Sequence, residues 1–180
     1  HGVAAAMMRG PDSGTICQPG RGASCALCCG SHNYRAGRDE MDALFRARRR
    51  AFPATVPSPL PMVIDDGIQC PYVGFIDEAD SIIGCLLYFD ESSASGDHRA
   101  FMARTCRVFS CMARETLSPD EVRFAAALMG DWLHYGLLIN DIALLRDLMR
   151  RFALPAHVTS EEREAVRERL SRAAFSPKMC

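Results

Sequence analysis

A chain of 180 residues and 19.8 kDa with 48% hydrophobic residues is long enough for one domain with a genuine core. Its 21 Lys and Arg against 22 Asp and Glu leave a net charge of −1 and a pI near 6.6, which makes no case for general nucleic-acid or membrane-surface binding. The composition is unusual in one respect, its nine cysteines.

Residues 1–16 read as disordered or vector-derived. The opening His1–Arg9 has neither the charged nor the apolar region of a signal peptide. Gly, Ser and Pro keep residues 1–24 irregular. In Asp39-Glu-Met-Asp-Ala-Leu-Phe-Arg-Ala-Arg-Arg-Arg50, acidic residues come first and basic residues last, which complements a helix dipole and predicts a helix over 38–50. The run Arg46-Ala-Arg48-Arg49-Arg50 then reads as a solvated helix end. Prolines at 53, 57, 59 and 61 make the next stretch an extended connector.

Met62-Val-Ile64, Tyr72-Val-Gly-Phe-Ile76 and Ile82-Ile-Gly-Cys-Leu-Leu-Tyr88 are short β-like runs. Asp65-Asp66-Gly67 and residues 77–80 separate them, which suggests a small hairpin, and Glu91–Gly96 is a polar loop. Ser118-Pro119-Asp120-Glu121 is a capping box with proline at the first helical position. Val122, Ala125, Ala126, Met129, Trp132 and Leu133 follow at helical spacing, with Gly130 and Gly136 as expected breaks. The stripe is too wide for an exposed helix, so the segment 118–154 should pack on the cysteine-rich part and bury Trp132. A last helix over 160–174, opened by Thr159-Ser-Glu-Glu162, has few apolar residues and reads as an exposed extension.

The longest apolar stretch, around 135–148, is interrupted by Asn140-Asp141 and Arg146-Asp147, too short and too charged to span a bilayer. A soluble cytoplasmic protein is the expectation, and in that compartment cysteines more often bind metal than form disulfides. They are grouped as Cys17, Cys25-x2-Cys28-Cys29, Cys70, Cys85 and Cys106-x4-Cys111, with Cys180 a terminal spectator. Thiolates are the ligands that zinc and iron–sulfur clusters select. Cys25-x2-Cys28 has chelate spacing, and Cys106 and Cys111 flank a loop-like spacer. Cys70 and Cys85 fall at the base of the expected hairpin. Adjacent side chains diverge, so Cys28 and Cys29 should not serve one ion easily. Eight thiolates make two four-thiolate sites, or one site plus inert core cysteines; Cys25, Cys28, Cys106 and Cys111 are the first choices as ligands.

Other residues read more plainly. His32 is a surface-loop histidine before it is a substitute ligand, and Asp131, His134 and Asp141 form a solvated helical stripe before a carboxylate–histidine site. At least one of Arg104 and Arg107, beside Cys106, offsets thiolate charge. Gly20-Arg-Gly22 lacks the flanking strand and helix of a phosphate loop, and no nucleophile–base motif stands out.

The groupings together resemble the bacterial eight-cysteine CxxCxxCC family of zinc- or iron-chelating proteins. The resemblance lies in Cys25-Ala-Leu-Cys28-Cys29-Gly30, Cys70-Pro-Tyr-Val, Gly84-Cys85-Leu-Leu-Tyr88 and Arg104-Thr-Cys106-Arg107-Val-Phe109-Ser-Cys111, and covers about residues 17–111. The chain departs from the family in the seven residues between Cys17 and Cys25, where the family has two. It also has Thr105 in place of a proline and an insertion at Ser92–His98. The resemblance implies metal ligands among Cys17, Cys25, Cys28, Cys29, Cys70, Cys85, Cys106 and Cys111, with zinc or an iron–sulfur cluster as cofactor. It also implies a second reading, an iron–sulfur enzyme related to protein lysine N-methylases, with methyltransferase or redox activity. The expected fold is α+β: a small cysteine-rich metal-binding core with a short β hairpin over 17–154, C-terminal helices packed on it, and a helical extension over 155–180. The expected partners are the metal ion or cluster and a protein docked on the helical tail, with no nucleic acid and no membrane.

Overall fold

A computed structural model describes residues 15–33, 37–52, 62–64, 67–87 and 110–175. The α+β class holds, with six α-helices and two antiparallel two-stranded hairpins among the described residues. The proline connector over 53–61, the polar loop Glu91–Gly96, and Arg104, Cys106, Arg107 and Cys180 lie outside the described residues.

Helix α1 spans Arg38–Ala51, with Asp39 and Glu40 in its first turn and three arginines in its last, as the dipole argument expects. Met41 and Phe45, four residues apart, face inward and are fully buried. Strands β1 (Met62–Ile64) and β2 (Gly67–Gln69) form the first hairpin; β2 was missed because the Asp-Asp-Gly turn signal masks its start. Strands β3 (Val73–Phe75) and β4 (Ile83–Cys85) form the second, in the register Val73↔Cys85, Gly74↔Gly84 and Phe75↔Ile83. Asp77 closes their loop by accepting from the Ser81 and Ile82 N–H groups at 2.9 and 2.7 Å. The basic run at the end of α1 is not simply solvated. Arg46 and Arg49 pair with Asp80 in that loop at 2.8 and 3.5 Å, while Arg48 donates to the carbonyls of Cys70 and Val73 at 3.4 and 3.1 Å. The arginines therefore clamp α1 onto the hairpin, against which it packs.

The short helix α2 (Met112–Thr116) begins directly after Cys111. Helix α3 (Pro119–Met129) opens on the expected capping box, both halves present, and ends at Gly130 in the left-handed conformation, φ 65°. Asp131 caps α4 (Trp132–Asn140) and Asp141 caps α5 (Ile142–Arg151). The break expected at Gly136 does not occur, and α4 runs through it. That glycine provides clearance instead: a Cβ there would come within 2.8 Å of His32 Cε1 and 3.5 Å of Cys25 Sγ.

Helix α6 (Ser160–Phe175) corrects the expected exposed extension. Its apolar residues are few but share one face, and Val166 and Leu170, with Val158 ahead of them, are buried on α3 and α4. Arg167 donates to the Met129 carbonyl at 2.7 Å, satisfying the end of α3. Residues 155–175 are thus part of the folded unit. So are Thr15 and Ile16 at the other end: the Tyr135 hydroxyl donates to the Ile16 carbonyl at 2.7 Å, which moves the start of the fold ahead of residue 17.

Two buried clusters result. One gathers α3, α4, α5 and α6 with Ala23; the other gathers Met41, Phe45, Val73, Phe75, Ile83, Trp132 and Leu133 with Ala26. Helix α4 contributes to both, and the cysteine-rich segment 15–33 lies along it.

Candidate metal centre

Segment 15–33 is folded by turns. Thr15 bridges to Gln18 and Gly20 to Ala23, with Gly20, Arg21 and Gly22 all at positive φ. Gly22 packs so closely on the end of α3 that a Cβ would stand 2.9 Å from the Gly130 oxygen. The Gly20–Ala23 turn takes up the long gap between the first cysteines, and the Cys25 N–H donates to the Cys17 carbonyl at 2.9 Å. Cys17 is thereby returned beside Cys25 despite its departure from the family spacing. Leu27–Cys29 then form a single 3-10 turn closed by Gly30 in the left-handed conformation. Within it the Leu27 N–H points at Cys25 Sγ, 3.4 Å away.

Four thiols meet around one opening. Cys17, Cys25, Cys28 and Cys111 line a cavity of about 330 Å³ whose other walls are Ile16, Leu27, Met112 and Ile139 with the polar Ser110 and Asn140. Burial pushes the Cys17 thiol up to about 11 and the Cys25 thiol up to about 12. Negative charge at Cys28 and at Cys111 contributes to both shifts in the same direction. A cation bound among these thiols would favour their charged forms.

Cys29, Cys70 and Cys85 form a second group. The Cys70 N–H donates to the Cys29 carbonyl at 2.9 Å, and charge at Cys70 and Cys85 raises the Cys29 thiol after burial and a hydrogen bond to Cys28 have done so. The neighbouring Cys29 thiol lowers Cys28 to about 7. No described cysteine is in a disulfide. Nor do any three Cys, His, Asp or Glu side chains among the described residues already stand in an arrangement that holds a metal ion.

His32 is not a surface histidine. Its Nε2 donates to the Leu133 carbonyl at 3.1 Å, its Nδ1 accepts from the Ser31 hydroxyl at 2.8 Å, and its ring stands edge-on to Trp132. Both nitrogens are used, so it is a neutral strut and not a ligand. Burial lowers it to about 4 from an ordinary 6.5. The unfolded chain takes up a proton near pH 6.5 and the folded chain only near pH 4, so stability is full above that interval and falls as pH drops through it. The loss amounts to at most about 3 kcal/mol. In metal-stripped protein, His32→Gln should flatten the stability slope between pH 6.5 and 4 in urea denaturation; an unchanged slope would show that His32 does not carry it.

The Asp131–His134–Asp141 stripe is divided. Asp131 accepts from His134 Nδ1 at 3.0 Å, and His134 Nε2 meets Ser171 of α6 at 3.1 Å, with Arg38 and Arg167 around the carboxylate. Asp141 instead caps α5 through the Leu144 N–H at 3.0 Å. The Asp131 network fastens α6 to α4. Sequence periodicity could not reveal it, because Ser171 enters from a helix 37 residues away.

Among the described residues no helix is long and apolar enough to cross a membrane. No family model, no curated protein and no solved structure matches the chain significantly.

Proposed function

We propose that the chain binds a thiolate-ligated metal, zinc or an iron–sulfur cluster, in the cavity bounded by Cys17, Cys25, Cys28 and Cys111. The observation that supports it is that four cysteines from two separate stretches of backbone line one opening. Cys25, half-buried and aligned by the Leu27 N–H, is the anchor. Cys17 and Cys28 complete the site from its rim. Cys111 enters from the residue that precedes α2. A zinc ion there would serve as a closed structural site, and a cluster would supply electron transfer or an open iron. The eight-cysteine family resemblance is part of this proposal.

The enzyme reading, an iron–sulfur protein related to lysine N-methylases, draws on one observation. The cavity of about 330 Å³ adjoins a groove of about 700 Å³ that shares Ile16 and Cys17 and carries Arg114 and Arg123, more room than one ion fills.

Anaerobic purification followed by elemental analysis tests the proposal. About one equivalent or more of zinc or iron is expected, with brown colour marking iron–sulfur. Less than about a tenth of an equivalent, in protein that also fails to take up added zinc or iron, would sink it.

A further inference from the structure

We propose that a groove between α3, α5 and α6 binds an amphipathic oxyanion, an apolar chain ending in a carboxylate or a phosphate. The groove shares no residue with the thiol cavity, so the proposal stands apart from the metal reading.

The groove encloses about 630 Å³. Small-molecule sites fall in this range and are mostly apolar with a few placed polar groups. Phe124 and Ala127 of α3, Met149 of α5, and Leu154 and Pro155 beyond it supply the apolar wall. Leu154 is 55% exposed, one of two large apolar side chains left so open among the described residues. The apolar chain of a ligand lying in the groove would cover it, which gives that exposure a use.

Three arginines from separate parts of the chain line the same groove: Arg21 of the glycine turn, Arg123 of α3 and Arg163 of α6. Asp120 lines it too, but it pairs with Arg123, and those two charges cancel. Among the described residues no partner engages the side chain of Arg21 or Arg163, so two positive charges stay uncompensated. The contrast within α6 is informative. Arg167, one turn after Arg163, spends its terminal nitrogens on the Met129 carbonyl at 2.7 Å and on Asp131 at 3.5 Å. Arg163 has the same buried, unpartnered Nε and no such bonds, so it is not fastening the helix. A half-buried guanidinium without a counter-ion is costly, and the planar fork suits a carboxylate or phosphate in two-point contact. Arg21 sits at φ 58°, in the left-handed region that an L residue of its size seldom adopts. The close packing of Gly22 on Gly130 holds that turn in place, and with it the position of Arg21.

The test is calorimetric titration of the full chain with decanoate and, separately, with decyl phosphate. At least one of the two should bind with a dissociation constant of about 10–100 µM, and the tighter names the end group. Decanol, which lacks the charge, and acetate, which lacks the chain, should bind at least about tenfold more weakly. Arg163→Gln should weaken the anion by about tenfold or more, as loss of a charge-assisted contact does. Leu154→Glu, at an exposed position that leaves the core alone, should weaken it similarly by setting a like charge on the rim. Arg169→Gln, on the same helix but outside the groove, should change nothing. Sedimentation with phosphatidylglycerol vesicles separates a free ligand from a bilayer surface: retention on vesicles without binding of either free anion overturns the proposal. Decanol bound as tightly as the anions overturns it too, as does anion binding that both groove variants leave intact. So does wild type that binds neither anion below about 1 mM, a result that needs no variant.

Discussion

Replacing Cys25 with serine should lower the melting temperature of metal-loaded protein by roughly 5–15 °C and leave metal-stripped protein almost unchanged. A ligand that binds only the folded chain adds about 2.7 kcal/mol at a hundred times its dissociation constant and about 4 at a thousand times. For a chain of this size, about 1 kcal/mol moves the midpoint by about 2–4 °C. Serine offers a hard, protonated oxygen where the metal needs a soft thiolate. In stripped protein the thiol is already neutral, since burial holds it up near about 12, and a hydroxyl still accepts from the Leu27 N–H. The quantity to measure is the difference between loaded and stripped midpoints by calorimetry, large in wild type and near zero in Cys25→Ser. A difference that survives the substitution would remove Cys25 from the site. Metal uptake near neutral pH should also release protons, because Cys17 and Cys25 are protonated before it binds.

The helices were legible in the sequence because their signals are local. The Ser118 capping box, the charge order of α1 and the apolar spacing through α3 and α4 each act within a few residues. The α6 contact was not legible, because Val166 and Leu170 are too few to form a stripe and acquire meaning only against the α3–α4 surface. Gly136 misled for a related reason. A mid-helix glycine looks like a break when nothing local shows that His32 and Cys25 lie against it. The cysteines were legible as a set, but not as two groups. Chelate spacing joined Cys25 to Cys28, whereas the return of Cys17 depends on the glycine turn over Gly20–Ala23, and the meeting of Cys29 with Cys70 depends on a backbone hydrogen bond across 41 positions. His32 was misjudged because its neighbours Leu133 and Trp132 are a hundred residues away along the chain.

Trp132→Ala should be the most damaging single core substitution, costing about 3–5 kcal/mol. Trp132 is the largest fully buried side chain, 1% exposed, and it begins α4 where the helical part meets the cysteine-rich part. Its ring packs edge-on against Phe45 of α1 and His32 of the thiol segment, with centroids 5.5 and 5.3 Å away. Its Nε1 donates to Asp42 at 2.9 Å, and Asp42 in turn pairs with Arg38 at 3.5 Å. Truncation would leave a cavity under all three elements and a half-buried carboxylate with one partner fewer. Trp132→Phe keeps most of the volume and loses chiefly the bond to Asp42, so it should cost about 1–3 kcal/mol. The same residue reports on the thiols: its fluorescence should be blue-shifted in metal-loaded protein and move to the red when a chelator loosens the 3-10 turn beneath His32. Urea denaturation of the two variants gives the energies, and the emission maximum gives the coupling. A cost below about 1 kcal/mol for Trp132→Ala, or a solvent-exposed emission maximum in loaded wild type, would show that Trp132 does not join the helices to the thiol segment.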